Sequence, residues 1–529
     1  MAEFEYILLL LLIVLGVTPL ARRWDIPLPI LQVVAGMMLA ALPWQGPAFD
    51  PDVVFLIFVP PLLYFAALVS SRRDLTRFRR PIAFLALGCV TATIIAVACV
   101  VHALVPGMSW TAAAVLGAMV SPPDAAVTLA ITRRLGVPRN LVTILEGETL
   151  FNDIVAFTVF RLTVAGVVAG GMSWWDLGPK LLEGGAGGVV VGLIVAWGVV
   201  QIRKRLTEPR AANTLSLLTP FAAYLPAEWL GASGVLAVVT TGLALNRVGP
   251  RLVPARTRLQ AQQMWDVVIF VLEGLIFLIL GTQLGVEAMA IARVHDFTLM
   301  VQIIGVAGAV IGIRILCLVP MGWFTGLCRK VNDPKGNGGV DWRAVAVVSW
   351  TGIRGGDTLV TALALPLTIH DGTPFPQRDL IQTLAYGTIL ATLLIQGLSL
   401  RPLVRWCNFP PDPTEESEET KARLAVSTAG VDQLAALAIR EKLPEDVSER
   451  IRAHHHLRRH VRSGSEPQSN MLGSSILARH LLRINREVLD AERRALIALR
   501  DQGEIGEEIM RRLQREIDLE EVVMERASD

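Results

Sequence analysis

Apolar residues recur along this chain in runs of about 17–25, the length a helix needs to cross a hydrocarbon core. The runs continue from the N-terminus to about residue 400 and are separated by short polar stretches. Their pattern predicts about thirteen membrane-spanning helices. The expected limits are 5–20, 26–42, 53–69, 82–105, 110–132, 141–168, 181–202, 212–226, 230–245, 264–283, 298–320, 342–366 and 380–400. The loops test the count. One alternate set carries Arg22 and Arg23; Arg72, Arg73, Arg77, Arg79 and Arg80; Arg133, Arg134 and Arg139; Arg203, Lys204, Arg205 and Arg210; Arg247, Arg251, Arg256 and Arg258; then Arg329, Lys330, Lys335 and Arg343. The other set holds only Lys180, Arg293 and Arg378. Basic residues gather on the cytoplasmic side of a membrane protein. The unbroken alternation therefore predicts an odd number of spans, with the N-terminus outside and the C-terminus in the cytoplasm.

Near Pro410 the pattern changes. Pro410, Pro411 and Pro413 flank Asp412, and the acidic run Glu415, Glu416, Ser417, Glu418, Glu419 follows. Beyond it, polar residues with helical apolar spacing predict amphipathic helices at about 475–500 and 504–526. The chain thus divides into a membrane domain, 1–408, and a helical cytoplasmic tail, 409–529, expected to be a dimer contact or a regulatory module.

Composition agrees. The chain is 53% hydrophobic and its mean hydropathy is +0.51, a membrane protein's value. A net charge of +2 argues against an extended nucleic-acid surface. Glu3 and Glu5 stand where a cleaved leader would carry basic residues, so no such leader is expected. Arginine greatly outnumbers lysine, which points to a GC-rich bacterial genome. The five cysteines, Cys89, Cys99, Cys317, Cys328 and Cys407, show neither metal nor disulfide spacing and read as free thiols.

Thirteen spans divide into six, a linker and six, and inverted repeats of this kind are common in secondary transporters. The fifth span of each half, 110–132 and 342–366, has a broken interior: Ser121-Pro122-Pro123-Asp124 in one, Gly352-Ile353-Arg354-Gly355-Gly356 in the other. Two prolines remove backbone donors and disfavour helix before them. Interrupted helices at matching positions point to a midplane site. A carboxylate inside a membrane is expensive and usually faces an ion or proton pathway. Asp124 sits at the first break, and Asp153 lies inside the sixth span. On that span Thr149 and Asp153 share one helix face, as do Glu148 and Asn152. Arg354 cannot shed its charge and needs a partner, for which Glu148 is the expected choice. Arg161 reads as a structural or snorkelling charge. Arg314 and Glu273 could pair with each other. His454, His455 and His456 read as a solvated cluster.

Three segments together, Ser121 to Ala126, Gly147 to Asp153 and Gly352 to Gly356, resemble the signatures of the cation/proton antiporter-1 family, the sodium/proton exchangers. The resemblance covers roughly residues 5–405. It implies an all-α polytopic fold: about thirteen helices in two inverted six-helix repeats, with crossed discontinuous helices, usually as a homodimer. It implies that Asp153 binds the cation or proton, that sodium is held at Asp153, Asp124 and Thr149 with the Pro123 carbonyl region nearby, that Asn152 supports the geometry, and that Glu148 pairs with Arg354. An asparagine before the aspartate implies electroneutral exchange. The chain departs from the pattern in three places. Phe65 follows Pro60-Pro61-Leu62-Leu63-Tyr64 where many relatives have glutamate. Pro123 stands where threonine or valine is common. Asp357 stands where an apolar residue is usual, in i, i+3 relation to Arg354 and so a modulator of the expected ion pair.

The function expected is secondary antiport of a monovalent cation, sodium or lithium, against protons at the bacterial inner membrane. No cofactor is expected, and the partners are the transported ions, the lipid bilayer and a second copy of the chain. A buried carboxylate is satisfied by a proton or by a dehydrated cation but not by both, which couples the two fluxes. Three other classes compete. An intramembrane aspartyl protease also uses two acids, but Arg354 stands where its Gly-x-Gly-Asp loop needs glycine. A cation channel would pass ions without opposing protons. A proton-coupled symporter of an organic solute would need more polar residues at mid-span.

Overall fold

The computed structural model describes residues 2–24, 26–42, 51–169, 174–206, 208–294, 297–324, 341–370, 372–409, 413–441 and 475–528. His454, His455, His456, Cys328, Arg329, Lys330 and Lys335 lie outside the described residues. What is described is helical, with one isolated bridge between Thr368 and Pro374.

The helices follow the expected spans. The first half comprises α1 (Ala2–Trp24), α2 (Leu28–Ala40), α3 (Pro51–Val69), the short α4 (Arg72–Arg77), α5 (Arg79–Leu104), the broken pair α6 (Trp110–Met119) and α7 (Ala125–Arg134), and α8 (Arg139–Val168). Then come α9 (Trp174–Arg203), α10 (Pro209–Trp229), α11 (Gly234–Leu252), α12 (Ala255–Val294) and α13 (Phe297–Phe324). A second broken pair, α14 (Trp342–Trp350) and α15 (Gly356–Leu363), precedes α16 (Arg378–Cys407). Nine described helices are long and apolar enough to cross a membrane. Eight belong to the expected spans; the remaining expected spans are short, interrupted or, for α10, carry two internal prolines. Several helices overrun their apolar runs, α12 most of all, because the backbone ladder does not stop where the hydrocarbon does.

Apolar side chains point outward as well as inward. Leu193, Ile194 and Trp197 on α9, and Ile304 and Leu316 on α13, are all more than half exposed. In water such a surface would be costly; against lipid tails it is the expected one. Small residues let helices meet closely inside the bundle. At the α2–α12 crossing a side chain on Gly36 would strike the Leu278 carbonyl, and one on Gly281 would strike that of Val33.

The ninth long apolar helix lies in Ser417–Glu441, beyond the membrane part. It belongs to α17 (Pro413–Glu441), which packs on α18 (Ser475–Gln502), and α18 packs on α19 (Glu507–Ser528). Leu434 and Leu437 of α17 are buried with Ile484 and Val488 of α18. Ala422 joins Leu489, Leu496, Ile509 and Met510 in a second small core. Part of the apolar stripe of α17 is therefore spent on its neighbours, while Leu424 and Ile439 stay exposed. Charges seat this unit on the membrane part. Arg258 of α12 forms a two-pronged pair with Asp518 of α19, and Arg493 also reaches Asp518, at 3.0 Å. Glu418 lies 3.6 Å from Arg139 and 3.9 Å from Arg73.

Candidate functional site

The two breaks meet. Helix α6 ends at Met119, and Pro122 and Pro123 follow, leaving no helical bond through residues 121–124. In the second half the chain unwinds from Thr351 to Gly355. The Asp124 N–H donates to the Ile353 carbonyl at 2.7 Å, and the Gly356 N–H donates to Asp124 Oδ2 at 2.8 Å. Asp124 thus caps the first turn of α15 from the other half of the molecule. A helix start offers unpaired N–H groups and a positive dipole end, which suits a carboxylate. Gly355 is needed for this approach: a Cβ there would collide with the Asp124 carboxylate. The Arg354 N–H donates to Thr392 Oγ1 at 3.1 Å, at the last residue before a π-helical turn, Leu393–Gly397.

Helix α8 crosses beside the breaks and brings four of the expected residues. Thr149 donates its hydroxyl proton to the Leu145 carbonyl at 3.0 Å, so its oxygen keeps lone pairs for a ligand. Asp153 is 5% exposed and its Oδ1 is buried without a hydrogen-bond partner. Asn152 is fully buried with both amide atoms unpartnered.

The expected Glu148–Arg354 pair does not form. Glu148 receives both arms of Arg314, at 2.5 and 2.9 Å, and each side chain is 2% exposed. Arg314 Nε also donates to the Val348 carbonyl at 3.2 Å, near the end of α14. One guanidinium therefore joins α8, α13 and the terminus of a broken helix, a geometry that a planar fork of donors meets well. Sequence separation does not distinguish the two arginines. Arg314 comes straight from a helix facing α8, whereas Arg354 sits in the unwound segment with Nε and Nη1 unpartnered. Nor does Asp357 pair with Arg354 among the described ion pairs; it lies in the first turn of α15, next to Asp124 and Glu273. The suggested Arg314–Glu273 pair is likewise replaced. Arg161 pairs with Glu228 and lies over the Phe55 and Tyr224 rings, a structural role.

A cavity of about 2170 Å³ opens onto these residues. Asp124, Thr149, Asp153 and Asp357 line it, and so does Glu273 of α12, which the sequence reading had placed elsewhere. Glu148, Asn152 and Pro123 do not; they stand behind its wall. Phe65 also lines it, resting on Trp265 with ring centroids 5.8 Å apart, so this wall is aromatic and not acidic. The cavity continues to Arg203, Lys204 and Arg258 and ends against α19. No cluster of three histidine, cysteine or acidic side chains among the described residues forms a metal cage. Glu273 was noticed as an acid inside the tenth span; nothing in the sequence says which cavity it would face.

The comparisons with known proteins agree with this architecture. The family described as "Sodium/hydrogen exchanger, transmembrane" matches residues 7–406. An uncharacterized Na+/H+ exchanger of Mycobacterium bovis is 36% identical over 519 residues, covering 96% of this chain and 93% of its own. The exchanger YjcE of Escherichia coli is 31% identical over 554 residues, covering 99% of each. A sodium, potassium, lithium and rubidium/H+ antiporter of Bacillus subtilis is 28% identical, covering 96% of this chain and 76% of its own. The solved sodium proton antiporter MjNhaP1 of Methanocaldococcus jannaschii superposes with a TM-score of 0.53 at 18% identity, covering 76% of this chain and 98% of its own, and so shares the fold. The broken helices, the carboxylate-lined cavity and these likenesses lead to one conclusion: the chain is a polytopic membrane protein of the sodium/hydrogen exchanger family, a secondary transporter and not an enzyme.

Proposed function

We propose that this protein exchanges a monovalent cation, sodium first among candidates, for protons through competition at Asp153. The observation that carries the reading is the buried, unpartnered Oδ1 of Asp153 on the wall of a cavity that reaches the basic face of the bundle. An unpaired carboxylate oxygen in a membrane must take a proton or a cation. Thr149 offers an oxygen on the same helix face, Asp124 a second carboxylate anchored at the helix break. Asn152, one residue away, supports the wall and adds no charge. Movement that exposes the site to each side in turn completes the cycle.

The exchange is read as one cation for one proton, without net charge. The alternation of basic loops supports an external N-terminus, with the cavity opening to the cytoplasm, and residues 409–529 as a cytoplasmic domain following the membrane domain 1–408. A homodimer in the bacterial inner membrane completes the reading. The curated relatives' names support the cation class, and the Bacillus subtilis name widens it to potassium, lithium and rubidium.

Purified protein in proteoliposomes, with an imposed pH gradient, tests this directly. Sodium should dissipate the gradient, and clamping the membrane potential should leave the rate unchanged. Asp153→Asn should assemble normally yet lose exchange. Robust sodium-driven proton movement by that variant would defeat the assignment.

A further inference from the structure

Asp357 stands at the start of α15 and lines the same cavity as Asp153. Its own carbonyl is engaged, accepting from Thr361 at 3.0 Å, but no cation side chain pairs with its carboxylate among the described ion pairs. The charged groups that act on it most are Asp124 and Glu273, both acids. The charged groups around Asp153 are Asp357, Asp124 and Glu148. Of the neighbouring acids, Glu148 is satisfied by Arg314, and Asp124 has one oxygen held by the Gly356 N–H at the start of α15. Asp153, with its orphaned oxygen, Asp357 and Glu273 remain as carboxylates facing shared space without a cation partner among the described ion pairs, and of the last two only Asp357 is among the charged groups around Asp153. A membrane site does not keep uncompensated acids without a compensating occupant.

We propose that Asp357 is a further anionic ligand of the transported cation, acting with Asp153 across the cavity, and that it biases the site toward small cations. This rests on the antiport reading above. Coulomb attraction grows as the ion approaches its ligands. Two carboxylates therefore reward a small ion such as lithium or sodium more than a large one, offsetting its costlier dehydration. With one carboxylate that advantage falls. Glu273 sits beside Asp124 and Asp357 and is not among the charged groups acting on Asp153, so it is the natural comparison.

The test uses the full-length protein in two assays. In detergent, NaCl or LiCl should raise the melting temperature of the wild type in a dose-dependent way. In proteoliposomes the half-saturating concentration of each alkali cation is measured. Asp357→Asn should raise the half-saturating sodium concentration about tenfold or more, the usual size for loss of a charged contact. It should weaken sodium and lithium more than potassium, keep the maximal rate within about twofold, and shift the detergent stabilisation to higher salt. Asp357→Glu should recover most of the affinity. Glu273→Gln should leave it within about threefold. The proposal is overturned if Asp357→Asn binds sodium as the wild type does, if it lowers only the maximal rate or the salt-free melting temperature, or if Glu273→Gln gives the larger affinity loss. A wild type that is stabilised by sodium but moves no protons would instead refute the antiport reading, and the detergent assay would still decide the role of Asp357.

Discussion

A single arginine decides what holds the site together. Arg314 reaches Glu148 with both arms and the end of α14 with its Nε, entirely out of water. Removing one member of a buried pair leaves an uncompensated charge and costs about 3–5 kcal/mol. Arg314→Ala is therefore expected to lower the melting temperature and membrane yield sharply, and Arg354→Ala much less. Thermal unfolding in detergent compares them, and an equal or larger loss for Arg354→Ala would restore the pairing first expected. Residues of this kind were half legible. Asp124 and Asp153 stood out because acids are rare inside apolar runs. The partner of Glu148 was not readable, since both candidate arginines lie far along the chain and only the packing of α13 against α14 brings one of them near.

At the level of elements, the breaks were the most legible feature, because consecutive prolines and paired glycines disfavour an ordinary helix and here each accompanies a charge inside an apolar run; alone they do not suffice, since Pro60-Pro61 and Gly184-Gly185 stay within helices. What the pattern did not show was that the breaks bond to each other, Asp124 to both Ile353 and Gly356. It also did not show the π-helical turns at Phe84–Cys89 and Leu393–Gly397, which have no signature in apolar spacing. Gly355→Ala tests the crossing. The added methyl would push the Asp124 carboxylate away from the start of α15. Exchange in proteoliposomes should fall at least about tenfold, as misplacement of a positioning group often costs, while the melting temperature falls less than for Arg314→Ala. Wild-type exchange by Gly355→Ala would show that the contact is incidental.

Across the whole molecule, the three described helices after residue 412 pack against one end of the bundle. Two of them, α18 and α19, were legible from amphipathic spacing; α17, which begins in the acidic run, was not, and neither was where the unit docks. Arg258 and Asp518 are 260 residues apart and meet only because α12 runs far beyond its apolar stretch. Reversing one charge, Arg258→Asp, should loosen α19, and adding Asp518→Arg should restore it; energy transfer between dyes on α12 and α19 reports both. Burial raises the Glu507 carboxyl above its usual range, against the nearby Arg500 and Arg511. The protonated form thus favours the seated helix. Seating should be tightest at acid pH and weaken as pH rises through the raised value, and Glu507→Gln should flatten that dependence in the same dye assay. One consequence follows from the position of α19. Because Glu508, Arg512 and Gln514 form part of the cavity wall, the first turns of α19 are, on the antiport reading, the threshold an ion would step over. A probe fixed there would sense traffic through the doorway without disturbing any carboxylate within.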